Sequence, residues 1–329
     1  MNEGVMVLIS GGLDSLLARE LALRRGSCVR AVHFDTGFVH PARRARIERL
    51  RQRCGDQALR TVDVSREFLH QVVLQPKYGY GAAMNPCLDC RVFLLRKAWA
   101  LARAEGVRWL VTGDVLGQRG FDQSRRALDL TEGEAGVAGR VLRPLSAGLL
   151  ARPEGRPELC DPPLRLHGRS RGAQLALAGR LGLEDYPTPS GGCCKLAQAS
   201  FARRLRDLLE HQDAQAVGPE DLARLDRGRH FRLAYDLKVV VARDEAECRW
   251  LERHAGGDGL ARPTDGRGAV GLVEGAPDAE QVRCVAALIA RYAGPRDGAE
   301  TEIELARGGE RTVLRAPAAG EPTLARWRI

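Results

Sequence analysis

The chain has 329 residues, 44% hydrophobic and 28% charged, a balance that excludes a mostly disordered or collagen-like polymer and leaves room for a large core and two domains. No apolar run approaches the roughly 20 residues of a membrane helix, and residues 1–9 lack the basic and apolar stretches of an export signal, so a cytoplasmic protein without membrane contact is expected. The net charge is +9, divided as +10 over residues 1–200 and −1 over residues 201–329, which points to a polyanionic partner such as nucleic acid for the first part. Only Lys77, Lys97, Lys195 and Lys238 are lysines, so an arginine-rich genome is the competing account of that charge.

In chain order, residues 5–10 predict a strand that ends in Gly11-Gly12. Residues 14–25 predict a helix with Leu16, Leu17, Leu21 and Leu23 on its apolar face and Gly26 as its stop. Residues 29–34 predict a second strand with the turn Asp35-Thr36-Gly37 after it, and Pro41 opens a strongly basic helix to about Cys54. Strands follow at 59–64 and 109–112, with a helix over 92–104 between them. Alternating strands and helices predict an α/β fold: a Rossmann-like, doubly wound parallel sheet with ligands at the carboxyl ends of its strands. Residues 131–139 read as a surface loop, 141–145 as a strand, 153–163 as a proline-rich connector and 170–181 as a helix stopped by Gly182. Beyond residue 201 the pattern changes to helices at 201–211, 245–254 and 278–292 and short strands at 232–233, 237–242, 269–273, 302–305 and 312–314. Two domains are therefore expected, 1–200 and a smaller α+β domain over 201–329.

Four motifs carry chemistry. Ser10-Gly11-Gly12-Leu13-Asp14-Ser15 lies between the first strand and the first helix. Its glycines admit a ligand close to the backbone, Ser10 and Ser15 add hydroxyls, and a helix N-terminus favours an anion. No Gly-Lys-Ser/Thr is present, so it is not a Walker A loop. In Val32-His33-Phe34-Asp35, the strand end offers backbone groups to a nucleoside, with Phe34 nearby for stacking and His33 packed at the sheet end. In Gly113-Asp114-Val115-Leu116-Gly117-Gln118, Gly113 lets a nucleotide approach, Asp114 suits Mg²⁺ and Gln118 reads a polar edge. Finally, Pro86-Cys87-Leu88-Asp89-Cys90-Arg91 precedes a helix, and Pro189-Ser190-Gly191-Gly192-Cys193-Cys194 holds two more thiols in a glycine-rich turn. Such thiols suit an iron–sulfur cluster, zinc or dithiol chemistry. Cys28, Cys54, Cys160, Cys248 and Cys284 are isolated and read as small buried hydrophobes. Arg169 and Arg171, at the head of the 170–181 helix, and Arg229, beside Phe231, are candidate RNA contacts.

The Ser-Gly-Gly-x-Asp-Ser motif resembles the pyrophosphate loop of the PP-loop ATP pyrophosphatases, and Gly113–Gln118 resembles the Gly-Glu-x-Leu-Gly-Gln segment of 4-thiouridine synthetases, with Asp114 in place of the glutamate. The cysteine set is similar to that of tRNA thiolation enzymes that hold a [4Fe-4S] cluster on three cysteines. The resemblance implies ATP and Mg²⁺ on Ser10, Gly11, Gly12, Asp14, Ser15, Phe34, Gly113, Asp114 and Gln118. It also implies a cluster on Cys87, Cys90 and Cys193 as ligands and catalytic thiols beside Asp14. The implied activity is that of an ATP-dependent tRNA sulfurtransferase, which adenylates a uridine carbonyl and replaces its oxygen with sulfur from a donor such as sulfide or a carrier protein. The second domain loosely resembles small RNA-binding domains found on some PP-loop and ribosome-associated proteins. Two alternatives stay open: an adenylating enzyme for a small metabolite, and a non-catalytic RNA-binding protein with a nucleotide site.

Overall fold

The computed structural model describes residues 4–54, 59–151, 154–186, 192–294 and 300–329. The chain divides into two compact units, Met1–Ala199 and Ser200–Ile329. No helix among the described residues is long and apolar enough to cross a membrane.

The first unit runs β1 (Gly4–Leu8), α1 (Leu13–Arg24), β2 (Cys28–Asp35), α2 (Pro41–Cys54), β3 (Leu59–Asp63), the short α3 (Ser65–Phe68), α4 (Cys87–Ala104), β4 (Trp109–Val111), α5 (Arg125–Ala135), β5 (Val141–Leu142) and α6 (Gly172–Leu181). All five strands are parallel, in the order β3-β2-β1-β4-β5, so the fold is of the expected Rossmann-like class. The chain winds outward from β1 through β2 to β3, then returns to the other side of β1 with β4. The crevice beyond the carboxyl ends of β1 and β4 is thus where the strand order reverses, the place such sheets bind ligands. β1 alternates little because both its faces are covered: Val5 and Val7 are fully buried and Met6 is 1% exposed. Helix α1 serves two apolar clusters. Ala18 and Ala22 pack with Val5, Val7 and Ala31, while Leu13, Leu17 and Leu21, one turn apart, pack with Val115, Leu145 and Leu177. Leu23, expected on the apolar face, is exposed instead.

Three further differences from the sequence reading have local causes. Helix α4 starts at Cys87, not after the cysteines: Pro86 stands at its N-cap, and the Cys90 N–H already donates to the Pro86 carbonyl. The first half of the expected loop 131–139 is the end of α5, capped by Ser124 at its start and closed by Gly136 in the left-handed conformation. The expected strand 141–145 is cut to two residues by Pro144, which begins a 3₁₀ turn, Pro144–Ser146.

The second unit runs α7 (Ala199–His211), α8 (Pro219–Arg224), β6 (Arg229–Ala234), β7 (Leu237–Val241), α9 (Glu245–Arg253), β8 (Gly259–Pro263), β9 (Gly271–Glu274), α10 (Ala279–Arg291), β10 (Glu300–Arg307), β11 (Glu310–Pro317) and α11 (Glu321–Trp327). Its sheet is antiparallel, ordered β11-β10-β8-β9-β7-β6. β7 shows why it folds: Leu237, Val239 and Val241 alternate onto the cluster of Val285, Leu288 and Ile289 from α10, while Val240 and Ala242 face Leu251 of α9. Lys238 stands among them, 1% exposed, its Nζ 3.4 Å from an Asp207 oxygen and 3.8 Å from one of Glu274. Strand β8 and helices α8 and α11 were not legible in the sequence, being short and interrupted by Pro or Gly.

Candidate active site

The turn after β1 is built from its own hydroxyls. Ser15 Oγ donates to the Gly12 carbonyl at 2.8 Å and accepts from the Ser10 N–H at 3.2 Å, while the Ser10 hydroxyl lies 3.3 Å from Ser15 Oγ. Ser15 is buried and therefore shapes the loop. Gly11 has φ +70°, and a Cβ there would lie 3.1–3.2 Å from Ile47 and the Arg43 carbonyl of α2. Gly113, at the end of β4, has a different duty from the one expected. A Cβ on it would fall 2.4 Å from the Asp14 and Ser15 backbone, so this glycine admits the start of α1.

Asp14 projects from the first turn of α1. Its Oδ2 accepts from Gln118 Nε2 at 3.1 Å, and its Oδ1 is buried without a partner among the described residues. Burial raises its pKa, opposed by the Gln118 hydrogen bond and the nearby charge of Arg171. An orphaned carboxylate oxygen at a helix N-terminus, beside a backbone loop shaped for an anion, fits a hard divalent cation carried by a phosphate. Asp114, the other expected Mg²⁺ residue, does not. Its Oδ1 takes Arg91 Nη1 and, at 3.4 Å, Gln123 Nε2, and its Oδ2 takes Thr112 Oγ1 at 2.9 Å and Arg143 Nε at 3.3 Å. Although burial works the other way, Arg91 and then Arg143 hold this carboxyl well below the usual carboxylate range. Asp114 thus anchors α4 through Arg91, which also reaches Asp122 at 3.1 Å. Phe34 is buried at the end of β2, and no stacking face is presented; His33 packs there too, its Nδ1 donating to the Ile9 carbonyl at 2.9 Å. Burial lowers the His33 pKa.

The cysteines come to this crevice from two directions. Cys87 and Cys90 occupy the first turn of α4, where a spacing of three puts both sulfurs on one side. The second thiol turn is stitched to the segment after β2: Cys194 bridges Val39, and the Lys195 N–H donates to the Phe38 carbonyl at 2.8 Å. Residues 189–191 of that motif lie outside the described residues. Asn85 Nδ2 donates to Cys87 Sγ at 3.2 Å and Arg119 Nη1 to Cys193 Sγ at 3.6 Å. The hydrogen bond from Cys194, together with Arg119 and Arg43, draws the Cys193 thiol well below its ordinary pKa, whereas burial pushes Cys87 and Cys90 up. Cys194, as the donor to that thiolate, is pushed up. The four sulfurs are close enough to influence one another's ionisation, yet among the described residues no three Cys, His, Asp or Glu side chains gather as a metal-holding group. The three expected cysteines thus stand within electrostatic reach of one another without forming a ready metal-holding group among the described residues.

Three arginines complete the site. Arg43 of α2 donates to the Ser10 carbonyl at 3.3 Å and feels the charges of both Cys193 and Asp14. Arg119 joins Cys193 to Asp122, 2.8 Å away. Arg171, expected on RNA, lies within electrostatic reach of Asp14, because the Gly168 N–H donates to the Leu116 carbonyl and draws that segment to the loop after β4. Arg43 and Arg119 were missed; the signal for Arg43 was a basic helix opening directly after a strand end. Arg169 is exposed. In the second unit the expected RNA motif is consumed by the fold: Phe231 is fully buried, Arg229 donates to the Ala242 carbonyl and lies over the Tyr292 ring, and Arg232 pairs with Asp207. Of the isolated cysteines, Cys28 is exposed, and Cys160, Cys248 and Cys284 are partly buried; the Cys54 side chain lies outside the described residues.

Parts of the chain are similar to known proteins. Residues 1–148 match the family described as thiamine biosynthesis protein (ThiI), and residues 228–328 match the family described as NFACT protein RNA binding domain. A probable tRNA sulfurtransferase of Thermus thermophilus is 36% identical over 119 residues, covering 35% of this chain and 28% of that protein. The tRNA-specific 2-thiouridylase MnmA of Desulfosudis oleivorans is 36% identical over 91 residues, 27% of this chain and 25% of the relative. The chain thus spans little more than a quarter of the length of these relatives. Among solved structures, a 4-thiouridine synthetase–RNA complex with bound ATP is 21% identical with a TM-score of 0.34, over 55% of this chain and 52% of the other.

Proposed function

We propose that this chain is an ATP-dependent, AMP-forming tRNA sulfurtransferase. The observation that carries the reading is that one pair of arginines serves both halves of the chemistry: Arg43 holds the Ser10 carbonyl of the phosphate loop and faces Cys193, and Arg119 meets Cys193 while its neighbour Gln118 holds Asp14. The relatives named as tRNA sulfurtransferases and thiouridylases support it. Residues 10–15 would cradle the pyrophosphate of ATP, with Mg²⁺ on Asp14 Oδ1 neutralising phosphate charge and Arg43 and Arg171 stabilising the departing pyrophosphate. The carbonyl oxygen of a uridine attacks the α-phosphorus, and pyrophosphate leaves. Hydrosulfide bound beside Cys193 then attacks the activated carbon; the carbon–sulfur bond forms, the sulfur's proton passes to water, the carbon–oxygen bond breaks, and AMP leaves. The second unit, by its family match, would hold RNA.

The test is incubation with ATP, Mg²⁺, sulfide and unmodified tRNA. AMP and pyrophosphate should appear with a thionucleoside in the tRNA, and Cys193→Ala should remove the thionucleoside. ADP and phosphate as products, or pyrophosphate release indifferent to tRNA, overturn the reading. Metal analysis decides what the cysteine set carries: about four irons per chain in protein purified without oxygen marks a [4Fe-4S] cluster, stoichiometric zinc a closed thiolate site, and neither metal marks thiols that position hydrosulfide without a metal.

A further inference from the structure

The loop after β4, residues 117–124, is held at nearly every position. The Gly117 N–H donates to the Gln123 carbonyl and the Gln123 N–H to the Arg119 carbonyl, both at 2.8 Å, and the Arg119 N–H donates to Gln123 Oε1 at 3.1 Å. Its side chains turn inward: Gln118 to Asp14, Arg119 to Cys193 and Asp122, Asp122 to Arg91, and Gln123 to Asp114. Phe121 alone departs from this pattern and stands 54% exposed. The chain has seven phenylalanines, and the other six, Phe34, Phe38, Phe68, Phe93, Phe201 and Phe231, are at most 7% exposed. Burying such a ring is favourable, and a loop that holds it in water forgoes that gain. The surroundings are cationic: Arg119 lies two residues before it, and exposed Arg125 and Arg126 follow it, in the part of the chain that carries +10. A fixed aromatic face among arginines suits a nucleobase whose phosphates the arginines neutralise.

Resting on the function proposed above, we propose that Phe121 is the platform on which an unpaired nucleobase of the tRNA stacks, presenting that base to the thiol held by Arg119. A base inside a helix hides its carbonyl carbon from a sulfur nucleophile, so an enzyme of this reaction needs a face to receive the extruded base. Being exposed, Phe121 can be changed without loss of fold, and the Phe121→Ala melting temperature should equal that of the wild type.

Two measurements on the full chain test this. Phe121→Ala should raise KM for unmodified tRNA about tenfold, in line with the loss of one base–aromatic stack, while KM for ATP stays constant, and Phe121→Tyr should restore the wild-type value. In Phe121→Trp, tRNA should quench the added indole emission beyond any quenching of the four native tryptophans, measured on the wild type under the same titration. An unchanged KM for tRNA in Phe121→Ala, with a wild type that does form thionucleoside, overturns the platform and leaves the function standing. If the wild type forms no thionucleoside, the function falls; excess quenching of Phe121→Trp by tRNA then still supports base stacking, and its absence overturns it.

Discussion

Beneath the phosphate loop, Asp114 binds Arg91 and Arg143, and Arg91 passes through Asp122 to Arg119, whose guanidinium ends on a thiol. In the second unit, Asp207 binds Arg232 and Lys238, and Lys238 passes through Glu274 to Arg224 and Asp258. Both are chains of largely buried charge, and burying each ion costs several kcal/mol unless its partners are well placed. In the second every charge meets an opposite one and none is a reactive group, and its product is the docking of α7 on the sheet. The first has an open end: Cys193, a group that chemistry can consume, and within reach of the same Arg43 the Oδ1 of Asp14, which has no partner among the described residues. Buried charge alone therefore does not mark a site; a network that terminates on a reactive or unsatisfied group does.

The comparison predicts opposite outcomes for mutations at the two ends. Asp14→Ala should lower tRNA-dependent pyrophosphate release by about 10²–10³-fold, as removal of a preorganised electrostatic group does, with little change in melting temperature; a loss under tenfold would put Asp14 outside the chemistry. Lys238→Ala should do the reverse. It leaves carboxylates buried with fewer partners and should cost about 3 kcal/mol in urea unfolding, while pyrophosphate release per folded molecule stays at the wild-type level.

Smaller effects sharpen the contrast. Cys193 is drawn below its ordinary pKa, so its thiolate forms at a lower pH than that of an ordinary cysteine. Arg119→Ala should raise that pKa, shrink the thiolate fraction and slow iodoacetamide labelling of Cys193 at pH 7 by about tenfold, with Cys87 and Cys90 slow in both proteins. The smallest effect at neutral pH concerns Asp114. Its folded pKa is depressed, so its stabilisation is complete above the unfolded value of about 3.9 and is lost as pH falls through the folded one. Acid unfolding of the first unit should therefore steepen only below about pH 4; a loss beginning near pH 6 would point to a different group.

Much of this was legible because the sequence and the fold speak the same local language. The six residues from Ser10 to Ser15 sit at a strand–helix junction that period and glycine announce, and α2 runs over the expected residues because Pro41 marks its start. What escaped was set by long-range packing. Nothing local says that Asp114 will be enclosed by Arg91 and Arg143, 23 and 29 residues away, or that Phe231, which has the flanks of an RNA-stacking aromatic, will fill the core under α10. The start of α4 was misjudged because Pro86 leaves the cysteines looking like loop residues, when proline before a helix often marks its first turn.

Gly113 sets the height of the site from below. Its bare Cα is the seat on which the first turn of α1 rests, with backbone where a Cβ would fall. Any side chain there would lift Asp14 and the turn beside it on the order of an ångström, and the orphan oxygen would rise with them. The height of the carboxylate above the sheet is thus set from below. In a mutational library, position 113 should behave as a tuning screw for metal and nucleotide preference.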